Sequence, residues 1–164
     1  MTAEIIEQSA PLTFASERYE PAKYEDVARK ARVREVRLVD SSYSAKVASF
    51  LAASNGNGDA AELKQSYTGM PSHYTFSPEK GMLAGTYHWS AEVKCGRKKI
   101  LKLSAEYLVV YSGLKDAPED YVRLYFNKLA RFTSYPYFRA HFAMNVASSG
   151  LMLAPLPSLF DRVD

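Results

Sequence analysis

At 164 residues, 47% of them apolar and 24% charged, the chain suits one globular domain, in which folding buries roughly 70% of the surface that the unfolded chain exposes. No apolar run approaches the roughly 18 residues of a membrane-spanning helix, and the net charge of +3 comes partly from two local clusters, residues 29–37 and 94–99. A lone Cys95 closes no internal disulfide, and Glu4 and Glu7 stand where a secretion signal would carry basic residues, so a reducing, cytoplasmic compartment without membrane insertion is the expectation.

Residues 1–22 lack sustained periodicity and carry Pro11 and Pro21, which reads as an arm, either loosely held or docked, before a single domain over 23–164. A short helix is predicted over 24–31. Tyr24, Val27, Ala28 and Ala31 recur at helical spacing, with Glu25 and Asp26 early and Arg29, Lys30 and Arg32 late, the order a helix dipole favours. Strands are predicted within 33–113. The stretches 33–40 and 43–51 are β-like, 54–59 (SNGNGD) has the composition of a mobile loop, and 73–77 is a short strand. No GK[ST] follows the glycines of 54–59, so they form no phosphate cradle.

A long strand follows at 82–95, where Tyr87, Trp89, Ala91, Val93 and Cys95 share one face. Past a polar turn at Gly96, residues Leu101, Leu103, Ala105, Tyr107, Val109 and Tyr111 share a face again, and Leu108 and Val110 make the end of the other face apolar as well. Asp116 and Glu119 have capping-box spacing around Pro118, predicting a helix over 118–132. Pro136 interrupts it, and a second helix is predicted over 136–149 with Gly150 just past its end. This second helix is apolar nearly all round, which implies burial on two sides, the second most simply by a partner subunit. In the segment 151–160 (LMLAPLPSLF), Pro155 and Pro157 exclude a helix, and the leucines offer more apolar surface than a connector needs. Composition alone fits a groove wall and a strand-like tail docked on the sheet equally well.

His73, His88 and His141 share no metal-ligand spacing with each other or with Cys95, so no metal is expected. With no GxSxG, HExxH or paired-carboxylate signature either, neither an enzyme nor a cofactor is expected. The basic clusters 29–37 and 94–99 offer a second reading, a nucleic-acid surface or a fixed-partner structural module, but Val33, Val36 and Leu38 interleaved with the first suit a solvated rim better, the second reads as a polar hairpin turn at Gly96, and nucleic acid is the weaker partner. Twelve Tyr and eight Phe are the louder signal, because aromatic side chains give broad contact area at low rotamer cost.

The run Tyr135-Pro136-Tyr137-Phe138-Arg139, the Ser149-Gly150 stop, and Leu153-Ala154-Pro155 followed by Phe160 resemble the FPYAR…RG…LAP…F pattern of SecB, the protein-export chaperone. The resemblance extends upstream to about Val33 and is closer to the SecB-like chaperones, some of which serve toxin–antitoxin systems. It implies an α+β fold, a four-stranded antiparallel sheet with helices packed on one face, assembled as a homotetrameric dimer of dimers with the long helices between the sheets. It also implies an ATP-independent holdase that binds unfolded clients, either generally or for a dedicated antitoxin. The implied client groove sets Tyr135, Tyr137, Leu151, Leu153, Pro155, Leu156 and Phe160 against Leu108, Val110 and Tyr111. The implied oligomer interface comprises Phe138, Phe142, Asn145, Val146, Val36 and Leu38. Two departures argue against handover to the SecA motor: the sequence stops at Asp164, before a further helix, and Lys94 and Lys102 stand where the outer sheet face would be acidic.

Overall fold

The alternation at 82–111 becomes the two central strands of one sheet. The structure, a computed structural model, describes residues 19–54 and 63–159. In chain order these form α1 (Pro21–Lys30), β1 (Arg32–Ala45), α2 (Val47–Ser54), β2 (Leu63–Ser77), β3 (Met82–Cys95), β4 (Lys98–Ser112) and α3 (Glu119–Ser148). The strands make a four-stranded sheet of order β1-β4-β3-β2, antiparallel throughout. This is the α+β architecture the resemblance implies.

Tyr87, Trp89, Ala91 and Val93 of β3 and Leu101, Leu103, Tyr107, Val109 and Tyr111 of β4 are buried beneath α3. Phe138 stacks on Trp89 with ring centroids 5.6 Å apart, and Phe126 lies so close over Gly85 that a Cβ there would overlap its ring. Among the described residues no helix is long and apolar enough to cross a membrane.

Several elements differ from their sequence expectation, each for a local reason. Pro21 belongs to α1 rather than to the arm, because a proline is tolerated in a helix's first turn, where its N–H is not needed. β1 runs unbroken to Ala45, and the β-like reading of 46–51 gives way to α2: Lys46 N–H closes the sheet on the Ile100 carbonyl, Phe50 N–H bonds back to the Lys46 carbonyl, and the Phe50 ring is buried. Most of the loop at 54–59 lies outside the described residues. β2 starts ten residues before the expected 73–77, and a register shift between Pro71 and His73 absorbs the proline.

The two helices expected at 118–132 and 136–149 are one helix of 30 residues with Pro136 inside it. An interior proline costs about 3 kcal/mol. Burial of Tyr135 and Phe138 beside it favours continuity, while Thr133 Oγ1 and Ser134 Oγ donate to the carbonyls of Leu129 and Ala130 in the turn before. The capping box does not form. Asp116 adopts a left-handed φ of +56° with its N–H on the Pro78 carbonyl, and Pro118 occupies the N-cap.

Candidate functional site

The site begins where α3 stops. Gly150, at φ +68°, donates to the Ala147 carbonyl at 3.0 Å, and Leu151 N–H reaches the Val146 carbonyl at 3.2 Å. This pair of bonds is a Schellman turn, whose left-handed residue a glycine adopts without a Cβ penalty. It sends residues 151–159 back along α3 instead of onward. Three bonds hold that segment, and each ends on a loop carbonyl. Gln65 Nε2 of β2 donates to Ala154 at 2.9 Å, Arg139 Nε to Leu156 at 2.6 Å, and the Tyr135 hydroxyl to Pro157. Leu151 and Leu156 point inward and are buried. Of the two readings that composition left open, the strand-like tail is not what forms, since no strand is assigned over 151–159.

Three hollows lie along one stripe of α3, where residues three and four apart fall on the same helix face. The first, of 490 Å³, is lined by Tyr24 of α1 with Asn127, Lys128, Leu129, Arg131 and Phe132. The second, of 230 Å³, lies between Phe132, Tyr135, Pro136 and Arg139 on the helix and Ser158 and Leu159 on the loop. The third, of 200 Å³, is bounded by Phe142, Ala143, Val146 and Ala147 facing Leu151, Leu153, Ala154 and Pro155. Lys128 Nζ sits 5.2 Å above the Tyr24 ring and the Arg131 guanidinium 4.4 Å above that of Phe132. Burial pushes the Tyr135 hydroxyl, which ties the loop down, well above its ordinary pKa. Among the described residues no cluster of three or more His, Cys, Asp or Glu could hold a metal ion. The chemistry the seam offers is therefore apolar contact, aromatic faces and fixed cations.

No protein-family model matches the sequence, and no curated protein matches it. The structure does match a solved one, the Mycobacterium tuberculosis SecB-like chaperone Rv1957 in complex with a ChAD peptide from the Rv1956 HigA1 antitoxin. The TM-score is 0.68 at 16% identity, over 87% of this chain and 99% of that one. The chain has the SecB-like fold.

Within this SecB-like chain the expected groove residues are only partly brought together. Tyr135, Leu151, Leu153, Pro155 and Leu156 meet at the seam, with Leu153 and Pro155 lining its third hollow. Phe160 lies outside the described residues. Leu108 and Val110 alternate with the buried face of β4 and so sit half-exposed on the far side of the sheet, away from α3. Tyr111 is on the α3 side but fully buried, its hydroxyl 2.7 Å from Thr133 Oγ1. The groove wall opposite the loop is therefore the helix and not the end of β4.

The expected interface residues divide as well. Phe138, Phe142 and Val146 are buried in the chain's own core. Asn145 is half-buried and donates to the His141 carbonyl at 2.9 Å, whereas Val36 is half-buried and Leu38 exposed on β1, a sheet edge. The apolar positions that α3 leaves open are Pro136, Tyr137 (53% exposed), Ala140, Ala143, Met144 (67%) and Ala147. Reading the helix as apolar all round concealed which side the sheet takes. Lys128, Arg131, Phe132 and Arg139 are among the groove residues that sequence reasoning missed, and Phe142, expected at the interface, belongs with them; their shared stripe with Tyr135 was the available signal.

Proposed function

We propose that this SecB-like chain is an ATP-independent holdase that binds extended, unfolded client segments along the seam between α3 and residues 151–159. The observation that carries the reading is the row of three hollows along one helix stripe, the first closed by Tyr24 of α1 and the other two walled by a loop that Leu156 and three carbonyl bonds hold in place. A client side chain entering a hollow gains roughly 25 cal/mol per Å² of apolar area, and ordering the client offsets much of that, so affinity stays modest and sequence-tolerant without nucleotide. The SecB-like neighbour was solved with an antitoxin peptide, which supports an antitoxin segment as one dedicated client beside a general role. We further read the molecule as a cytoplasmic homotetramer, a dimer of dimers in which the open stripe through Tyr137 and Met144 meets another copy.

No observation favours the nucleic-acid reading. Arg29 and Lys30 share Asp26, Arg37 pairs with Glu35, and Lys94 and Lys99 share Glu92, so three carboxylates offset part of the charge of the two clusters.

The test is suppression of aggregation of a slow-folding client at stoichiometric protein. Leu153→Asp is the discriminating variant, because Leu153 lines the third hollow yet is only partly buried. It should lower protection several-fold while leaving the fold intact. Equal protection by wild type and variant, or none by wild type, contradicts the proposal.

A further inference from the structure

We propose that the seam is chemically polarised and selects client segments carrying acidic residues at one end and apolar or aromatic residues at the other. The inference rests on the holdase reading and names the client class of the same site.

Its basis is where charge falls. From residue 121 to 159 the chain has no Asp or Glu, but carries Arg123, Lys128, Arg131 and Arg139. Arg123 is paired with Asp120; the other three cations all line the hollows. No ion pair among the described residues engages Lys128 or Arg139. The acidic groups of neighbouring α1 are partly committed, Asp26 to Arg29 and Lys30, and Glu20, just ahead of the helix, to Lys23. The first hollow thus offers Lys128, held over the Tyr24 ring, the second Arg139, and the third only apolar side chains and backbone. A client carboxylate is favoured at the first and a lysine disfavoured there, while leucine or phenylalanine is favoured at the third.

The geometry also sets a spacing. The centres of the end hollows lie near residues 129 and 145 of α3, about 24 Å apart at ~1.5 Å per helical residue. An extended client advances ~3.3 Å per residue, so about seven residues separate its acidic and apolar clusters.

Fluorescence anisotropy on labelled synthetic peptides tests this with the full-length protein. All peptides share a leucine–phenylalanine cluster and carry, about seven residues away, a cluster of glutamates, serines or lysines, in both chain orders; a further glutamate peptide has the spacing halved. The glutamate peptide in its better order should bind about tenfold tighter than its lysine counterpart at low salt. That advantage should shrink as ionic strength rises, and halving the spacing should weaken binding. Lys128→Glu, at an exposed position, should narrow or reverse the preference. Equal binding of glutamate and lysine peptides, or indifference to spacing, overturns the polarised seam while leaving the holdase reading standing. Failure of every peptide to bind, together with no suppression of aggregation, removes both.

Discussion

Ser134→Ala removes a single oxygen from the middle of α3 and tests how the groove-bearing helix is fixed to the sheet. The Trp89 indole N–H donates to Ser134 Oγ at 2.8 Å, and Ser134 is 0% exposed. That hydroxyl in turn donates to the Ala130 carbonyl at 2.7 Å, six residues before Pro136. Alanine gains a few tenths of a kcal/mol in helix propensity, but it leaves the indole N–H buried without an acceptor, at a cost of about 1–3 kcal/mol. A net loss of about 2 kcal/mol lowers Tm by roughly 4–8 °C in a domain of this size. Thermal and urea unfolding followed by circular dichroism measures it, at fixed protein concentration because association would shift the midpoint. Trp89→Phe completes the cycle: with no indole N–H to strand, it should cost at least ~1 kcal/mol less in the Ser134→Ala background than in the wild type. A neutral Ser134→Ala with no coupling to Trp89 would refute the view that this bond holds the helix in register on the sheet.

Two further outcomes follow from burial and exposure. Burial pushes the Tyr107 hydroxyl up to about 12 and raises Tyr111 and Tyr135 as well. The folded state therefore favours the neutral phenol, and this contribution to stability is complete below the unfolded value near pH 10 and is lost as pH rises through 12. The loss is ~1.4 kcal/mol per pH unit for each phenol that ionises only on unfolding. The phenolate absorbance contributed by these buried groups should consequently rise together with loss of the circular dichroism signal, and their ionisation in an intact fold would contradict the prediction. Met144→Asp changes a side chain that is 67% exposed, so it should leave the protomer folded and weaken assembly. Light scattering at micromolar concentration checks this; a monomeric wild type, or a variant that assembles equally well, removes the α3 stripe as an interface.

What could be read in advance depended on how each residue's environment is encoded. β3 and β4 lie at the sheet centre with one face under α3, so their alternation from Tyr87 to Tyr111 translates directly into burial. β2 is an edge strand with no buried residue, and Gly69 and Pro71 break its pattern, so its first ten residues carry little periodic signal. Pro136 misleads in the other direction. Helix-breaking is a local tendency, and the packing of Tyr135 and Phe138 around Trp89 overrides it. At the site, the apolar loop and the Gly150 stop were legible, whereas the surface the loop faces was not. Leu108 and Val110 looked available because both faces of β4 end apolar, yet the direction of the loop is set by the turn at Gly150 and by bonds to its backbone, which composition does not record.

Because Gln65, Arg139 and Tyr135 grip the loop at Ala154, Leu156 and Pro157 through carbonyl oxygens, a group every amino acid possesses, the mooring makes almost no demand on which residues are moored. Mutation can therefore rewrite the outward positions, Met152, Leu153 and Pro155 among them, while the strap stays lashed to its helix. A scaffold built this way separates inheritance of shape from inheritance of surface: exposed loop side chains such as Met152 can drift without loosening the strap, whereas Leu151 and Leu156 are fixed by burial.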